Sequence, residues 1–200
     1  MEFFFKLVKS LYGLKDNAVS DCDLIVPLGY GLDKLEELPD PSIKTLKAVA
    51  RIAILQGEVI AFASSNYFWA GSDEYENSLK IKYLLSLGVE KRVVVAKGIT
   101  NSVTEARNIL NSVIKNNIPH RRILVVCDWM HARGARIIWK KIFPGSRILI
   151  VSVDGKWDKH HVASLQQSSF RWLLACILRH VALILLGPNM VERIRHPLED

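Results

Sequence analysis

Along the chain, short runs of uninterrupted apolar residues alternate with longer stretches whose apolar positions recur every three or four residues. The short runs fall at 22–28 (CDLIVPL), 58–64 (EVIAFAS), 92–96 (RVVVA), 122–127 (RILVVC) and 147–153 (RILIVSV). Runs of this length without polar alternation predict strands buried on both faces. The stretches between them predict helices. At Asp40-Pro41 an Asp cap and a Pro at the first helical position precede a stripe of Ile43, Leu46, Val49, Ala50 and Ala53. A second helix occupies DEYENSLKIKYLLSLG (73–88), with Gly88 as its C-cap. Ser102-Val-Thr-Glu105 matches a capping box, followed by Ala106, Leu110, Val113 and Ile114 on one face. Helices are also expected over 130–141 and from about 164 to 186.

This alternation predicts an α/β fold: a Rossmann-like three-layer sandwich with a mainly parallel sheet of about five strands and right-handed crossovers. The domain is expected over 21–187, with 1–20 packing as an N-terminal extension and 188–200 as a tail. In such folds ligands bind beyond the carboxyl ends of the strands. The segments there are 28–38, 64–71, 97–102, 128–136 and 154–161, and the polar residues concentrate in them.

Each of these loops offers chemistry with a plainer alternative. Gly29-Tyr30-Gly31 follows the first strand, and glycines let backbone approach a ligand, although a simple turn needs them equally. The third glycine of a dinucleotide fingerprint is missing. Ser64-Ser65 follows the second strand, with Glu74 inside the next helix; hydroxyls and free amides there suit an anion, and an acidic first turn suits the helix dipole. Asn101 and Ser102 stand at a helix start, a place for an anion or simply for a cap. The richest stretch is VCDWMHARGAR (126–136). There His131 has the pKa range of a general acid or base, Asp128 can orient it, and Arg133 and Arg136 share a helix face suited to phosphate or carboxylate. The alternative is a solvated helix start capped by Asp128. The segment 154–161 pairs Asp158 with His160 and His161, but adjacent histidines point apart and no second ligand pair follows, so no metal site is expected.

The bulk numbers narrow the partners. The chain has 200 residues, is 50% hydrophobic and carries a net charge of +7, which admits nucleic acid, anionic headgroups or a phosphorylated small molecule. Its basic residues are scattered, without a tail or basic-aromatic repeat, so nucleic acid is not the expected partner. No uncharged apolar run reaches the roughly 18 residues of a membrane span. The nearest, 173–186, contains Arg179 and His180 and reads as an amphipathic core helix. Lys6 and Lys9 interrupt the apolar N-terminus, which does not read as a signal peptide. Cys22, Cys127 and Cys176 are odd in number, far apart and set in apolar runs, which fits a reducing, cytoplasmic compartment.

The order DLIVPLGYG, SDEYENSLKIKYLLSLGVEKRVVV, TNSVTEARN and VVCDWMHARGAR resembles the bacterial domain-of-unknown-function family of SanA, ElyC and YdcF over about 21–186. Gly29, Gly31, Glu74, Asn101, Ala106, His131 and Ala135 stand where the family pattern places them, and Ser102 replaces its threonine. Ala63-Ser64-Ser65 replaces a Ser-Gly-Gly turn, Glu105 an asparagine, and Gly134 an arginine. Arg133 and Arg136 flank Gly134, and either could substitute. The resemblance implies a polar pocket at the strand ends, and S-adenosylmethionine as a candidate cofactor because a soluble member is associated with it. Three readings follow. The first is a binding protein for an anionic, nucleotide-like or phosphorylated small molecule, held by Gly29, Gly31, Ser64, Ser65, Glu74, Asn101, Ser102, Asp128, Arg133 and Arg136. The second is a small enzyme acting on a phosphorylated envelope or nucleotide intermediate, with His131 as catalytic acid or base. The third is a basic interaction module.

Overall fold

The computed structural model describes residues 2–14, 22–56, 60–62, 76–89, 93–94, 96, 99, 101–157, 159–161 and 163–195. It is an α/β protein with a parallel sheet. The strands are β1 (Leu24–Pro27), β2 (Ile60–Phe62), β3 (Val93–Val94), β4 (Arg122–Asp128) and β5 (Arg147–Val153), in the order β3-β2-β1-β4-β5. Every strand pair is parallel. The longer ladders lie in β1, β4 and β5, where four and seven residue pairs join neighbours; β2 and β3 add three and two residues at one side.

Among the described residues, six helices accompany the sheet: α1 (Glu2–Tyr12), α2 (Asp40–Gln56), α3 (Glu76–Ser86), α4 (Ser102–Lys115), α5 (Ala132–Ile142) and α6 (Ser169–Arg195), with a short 3-10 turn at Ser164–Gln167. Period-two alternation assigns side chains to the two faces. Leu24, Val26, Ile123, Val125, Ile148 and Ile150 join a core with α4, α5 and α6. Ile25, Leu124, Val126 and Leu149 join a second core with α2 and α3. Strands that alternate yet stay apolar on both sides are therefore buried on both sides, which is why the runs lack polar interruption. The first core is also covered by α1, through Phe5, Val8 and Tyr12.

Two helix ends follow elementary backbone rules. Gly88 has φ of +83, and the amides of Gly88 and Val89 return to Leu85 and Leu84, closing α3. In α6, Gly187 leaves helical geometry at φ 75 and ψ 165, and Pro188 restarts the helix behind it. The expected capping box at Ser102 and Glu105 is displaced by one residue. Asn101 is the N-cap, its side-chain oxygen receiving the amides of Val103 and Thr104, while the Thr104 hydroxyl accepts from the Asn101 amide. The shift frees Ser102 and Glu105 for contacts beyond their own helix.

Candidate functional site

The carboxyl ends of β1 and β4 meet beside the starts of α3, α4 and α5. The chain leaving β1 passes through Gly29-Tyr30-Gly31, where Gly31 has φ of +78. Two successive amides of this loop are taken by carboxylates from different helices. The Gly29 amide donates to Glu105 of α4 at 3.0 Å, and the Tyr30 amide donates to Glu76 of α3 at 2.9 Å. Both carboxylates are buried. Lys80, one turn along α3 and also fully buried, places its ammonium 3.8 Å from Glu76 and donates to the Pro27 carbonyl at 3.4 Å. The loop is thus held by charged groups that burial makes costly to leave unpartnered. The Gly29 amide is therefore engaged by a protein carboxylate.

Tyr30 fills the middle of the site. Its ring packs against Trp157 at 5.3 Å between centroids, His131 at 6.1 Å and Trp172 at 6.5 Å. The Asp128 amide donates to its hydroxyl. His161 shares a hydrogen bond between its Nε2 and the Tyr30 carbonyl at 2.7 Å, while neighbouring His160 is exposed. Burial lowers the pKa of His161, against a smaller opposing pull from its bond to the Tyr30 carbonyl.

Asp128 closes β4. Its carboxylate accepts from the Met130 amide at 3.0 Å and the Gly155 amide at 3.2 Å, tying the β4 exit to the loop after β5. Gly155 is required at that point, since a Cβ there would stand 2.5 Å from the Pro41 ring. Burial pushes the Asp128 carboxyl up to about 7, against the lowering effect of those two amides.

His131 is buried at the start of α5, and its Nε2 lies 3.3 Å from the Ser102 hydroxyl at the start of α4. Trp172 of α6 packs against its ring at 5.9 Å. The starts of α4 and α5, 29 residues apart in sequence, therefore share one hydroxyl–imidazole contact. Chemically this is a hydroxyl within reach of an imidazole, near a carboxyl with a raised pKa.

Of the expected site residues, Gly29, Gly31, Ser102, Asp128 and His131 come together here. Asn101 is adjacent, but its amide oxygen is committed to capping α4. Ser64, Ser65, Glu74 and Asp158 lie outside the described residues. The two arginines take different surroundings. Arg133 turns its guanidinium to the C-terminal carbonyls of α1, donating to Tyr12 and, at 3.5 Å, to Leu11, with the Tyr12 ring 5.2 Å away. A helix C-terminus is the negative end of its dipole and attracts a cation. Arg136, three residues on, is exposed on the outer side of α5. Four residues given no role in the sequence prove central: Tyr30, Glu76, Trp157 and Trp172. Glu76 had a signal, since a Glu–Lys pair at i,i+4 sits on a helix that must bury one face. The tryptophans had none, because each comes from a loop or helix distant in sequence.

The chain matches no family model, no curated protein and no solved structure.

Proposed function

We propose that this chain is a small-molecule-binding protein of the SanA, ElyC and YdcF kind, with a Rossmann-like fold, and that its ligand sits where α4 and α5 start. The observation that carries this reading is the Ser102–His131 contact of 3.3 Å at the carboxyl edge of a parallel sheet. The strand order, with β1 central and crossovers running to either side, supports it, since the reversal of direction beside β1 opens a crevice at that edge. The ligand is anionic in part, met by the positive end of the α5 dipole and by Ser102 and His131. Nucleotides and S-adenosylmethionine both carry anionic groups of this kind. A cytoplasmic location goes with such a ligand.

A second reading is favoured by the same contact: His131 acts as general base on a hydroxyl or water during turnover of a phosphorylated intermediate. One experiment separates the two. The protein is titrated calorimetrically with S-adenosylmethionine, ATP, a sugar nucleotide and phosphate, and phosphate-ester turnover is assayed in parallel. Binding should weaken about ten-fold or more in Ser102→Ala and His131→Ala, the scale of a lost charge-assisted contact. Turnover abolished in His131→Ala with binding retained selects the enzyme. Neither binding nor turnover with any of the four, or binding and turnover equal in all variants, overturns both.

A further inference from the structure

The outward faces of α1 and α6 form one exposed apolar surface, and we infer that it lies on an anionic lipid bilayer, parallel to the membrane plane. Leu174, Leu178, Val181 and Leu185 follow one another by three or four residues along α6, and all are exposed, from about half to three-quarters of their surface. Phe3, Leu7 and Leu11 do the same on α1. The two helices touch through their aromatic side chains. Phe4 meets Phe170 at 6.4 Å near one end, and Tyr12 meets His180 at 5.7 Å farther along. Scattered exposed leucines are ordinary, but two adjoining helices with matched apolar stripes mark an interaction surface.

Charge decides the occupant. Arg136 and Lys140 stand exposed on α5, which packs beside α6 and is tied to α1 through Arg133. Arg171 is exposed within the α6 row, and Lys6 within α1, where it pairs with Glu2 at 3.0 Å. A second copy of a chain with net charge +7 would bring this basic rim against itself. An anionic headgroup layer accepts both the apolar rows and the rim, the combination that places amphipathic helices at a membrane interface.

The helix lies on the bilayer and does not cross it. Residues Ser169–Val191 are long and apolar enough to span, and only 22% of that segment is buried. Yet the opposite face of α6, with Trp172, Cys176 and Leu183, is packed into the core, and Arg179 stands 5.8 Å over the Trp172 ring. Spanning would strip those side chains out and take Trp172 away from His131.

The test is flotation of the full chain with vesicles of phosphatidylcholine alone or with about a third phosphatidylglycerol, alongside sedimentation velocity without lipid. The parent should float with the anionic vesicles and about ten-fold less with neutral ones. Leu178→Glu/Leu185→Glu should lose flotation by about ten-fold while keeping its unfolding midpoint, since both positions are exposed. Arg136→Glu/Lys140→Glu should lose the preference for anionic lipid. Alkaline carbonate should release the parent. The inference falls if the parent floats with neither vesicle, if the leucine variant floats like the parent, or if carbonate leaves it in the bilayer. It falls also if the parent is a dimer that the leucine variant splits, which would make a second copy the occupant.

Discussion

On the inner face of α6, Trp172, Leu173, Cys176 and Leu183 are buried, and Trp172 touches both His131 and Trp157. On the outer face, Leu178 and Leu185 are 62% and 74% exposed. The same residue classes on one helix thus carry opposite energetic weight. Each inner side chain gains roughly 1.5–3 kcal/mol from burial, and the outer ones gain almost none until something covers them. The polar groups show the converse. Glu76, Lys80, Glu105 and Asp128 are buried at the strand ends, where each must be matched by an amide, a carbonyl or an opposite charge. Stability and the shape of the site come from one side of α6, and the other side is left for a partner.

The largest effect should come from the buried polar set. Glu76→Ala removes the carboxylate from the Tyr30 amide and from buried Lys80, and should cost about 3–5 kcal/mol in denaturant unfolding. Trp172→Ala should cost a similar ~3–5 kcal/mol by opening a cavity beside His131. If either variant unfolds like the parent, the strand-end network does not hold the fold.

Asp128 sharpens the comparison through pH. In the folded chain its carboxyl keeps a proton to about pH 7, whereas an unfolded Asp loses it near 3.9. Between those values the folded state binds more protons, so this group's contribution to stability falls as pH rises, then stays level above about 7. His161 acts in the opposite sense: its lowered pKa means that the unfolded chain takes up a proton below about 6.5 while the folded chain resists. The stability of the parent relative to Asp128→Asn should therefore fall by about 1–4 kcal/mol as pH rises from about 4 to 7. A flat difference in urea titrations would show that Asp128 is not held protonated by burial.

The smallest effect belongs to the outer face. Leu185→Gln should change unfolding by no more than about 0.5 kcal/mol, because an exposed side chain has little burial to lose. A loss of several times that size would mean that the outer row already packs against something.

The parallel α/β arrangement was legible because strands covered on both faces need runs of apolar residues, as at 123–127 and 148–151. Gly88 was legible for a local reason, a φ that glycine adopts without penalty. What escaped depended on distance. Ser102–Glu105 and Asn101–Thr104 both satisfy a capping pattern, and the choice between them is made by Gly29, whose amide recruits Glu105 from 76 residues away. Arg133 and Arg136 looked equivalent on a helical wheel, but the C-terminus of α1, 121 residues earlier, draws one of them off. The N-terminal segment was expected only as an extension, although its apolar residues fall at helical spacing on two faces, one for the core and one for solvent.

The most direct measurement of the central claim is NMR of a protein labelled at its histidine rings, titrated with whichever nucleotide or S-adenosylmethionine binds in calorimetry. Proton and nitrogen signals of His131 should shift in saturable proportion to ligand, and exposed His160 should stay in place as the internal control. The shift should vanish in Ser102→Ala at the same ligand concentration. If His131 is unmoved while bound ligand saturates the protein, the ligand sits elsewhere and the strand-end contact between Ser102 and His131 is only part of the scaffold.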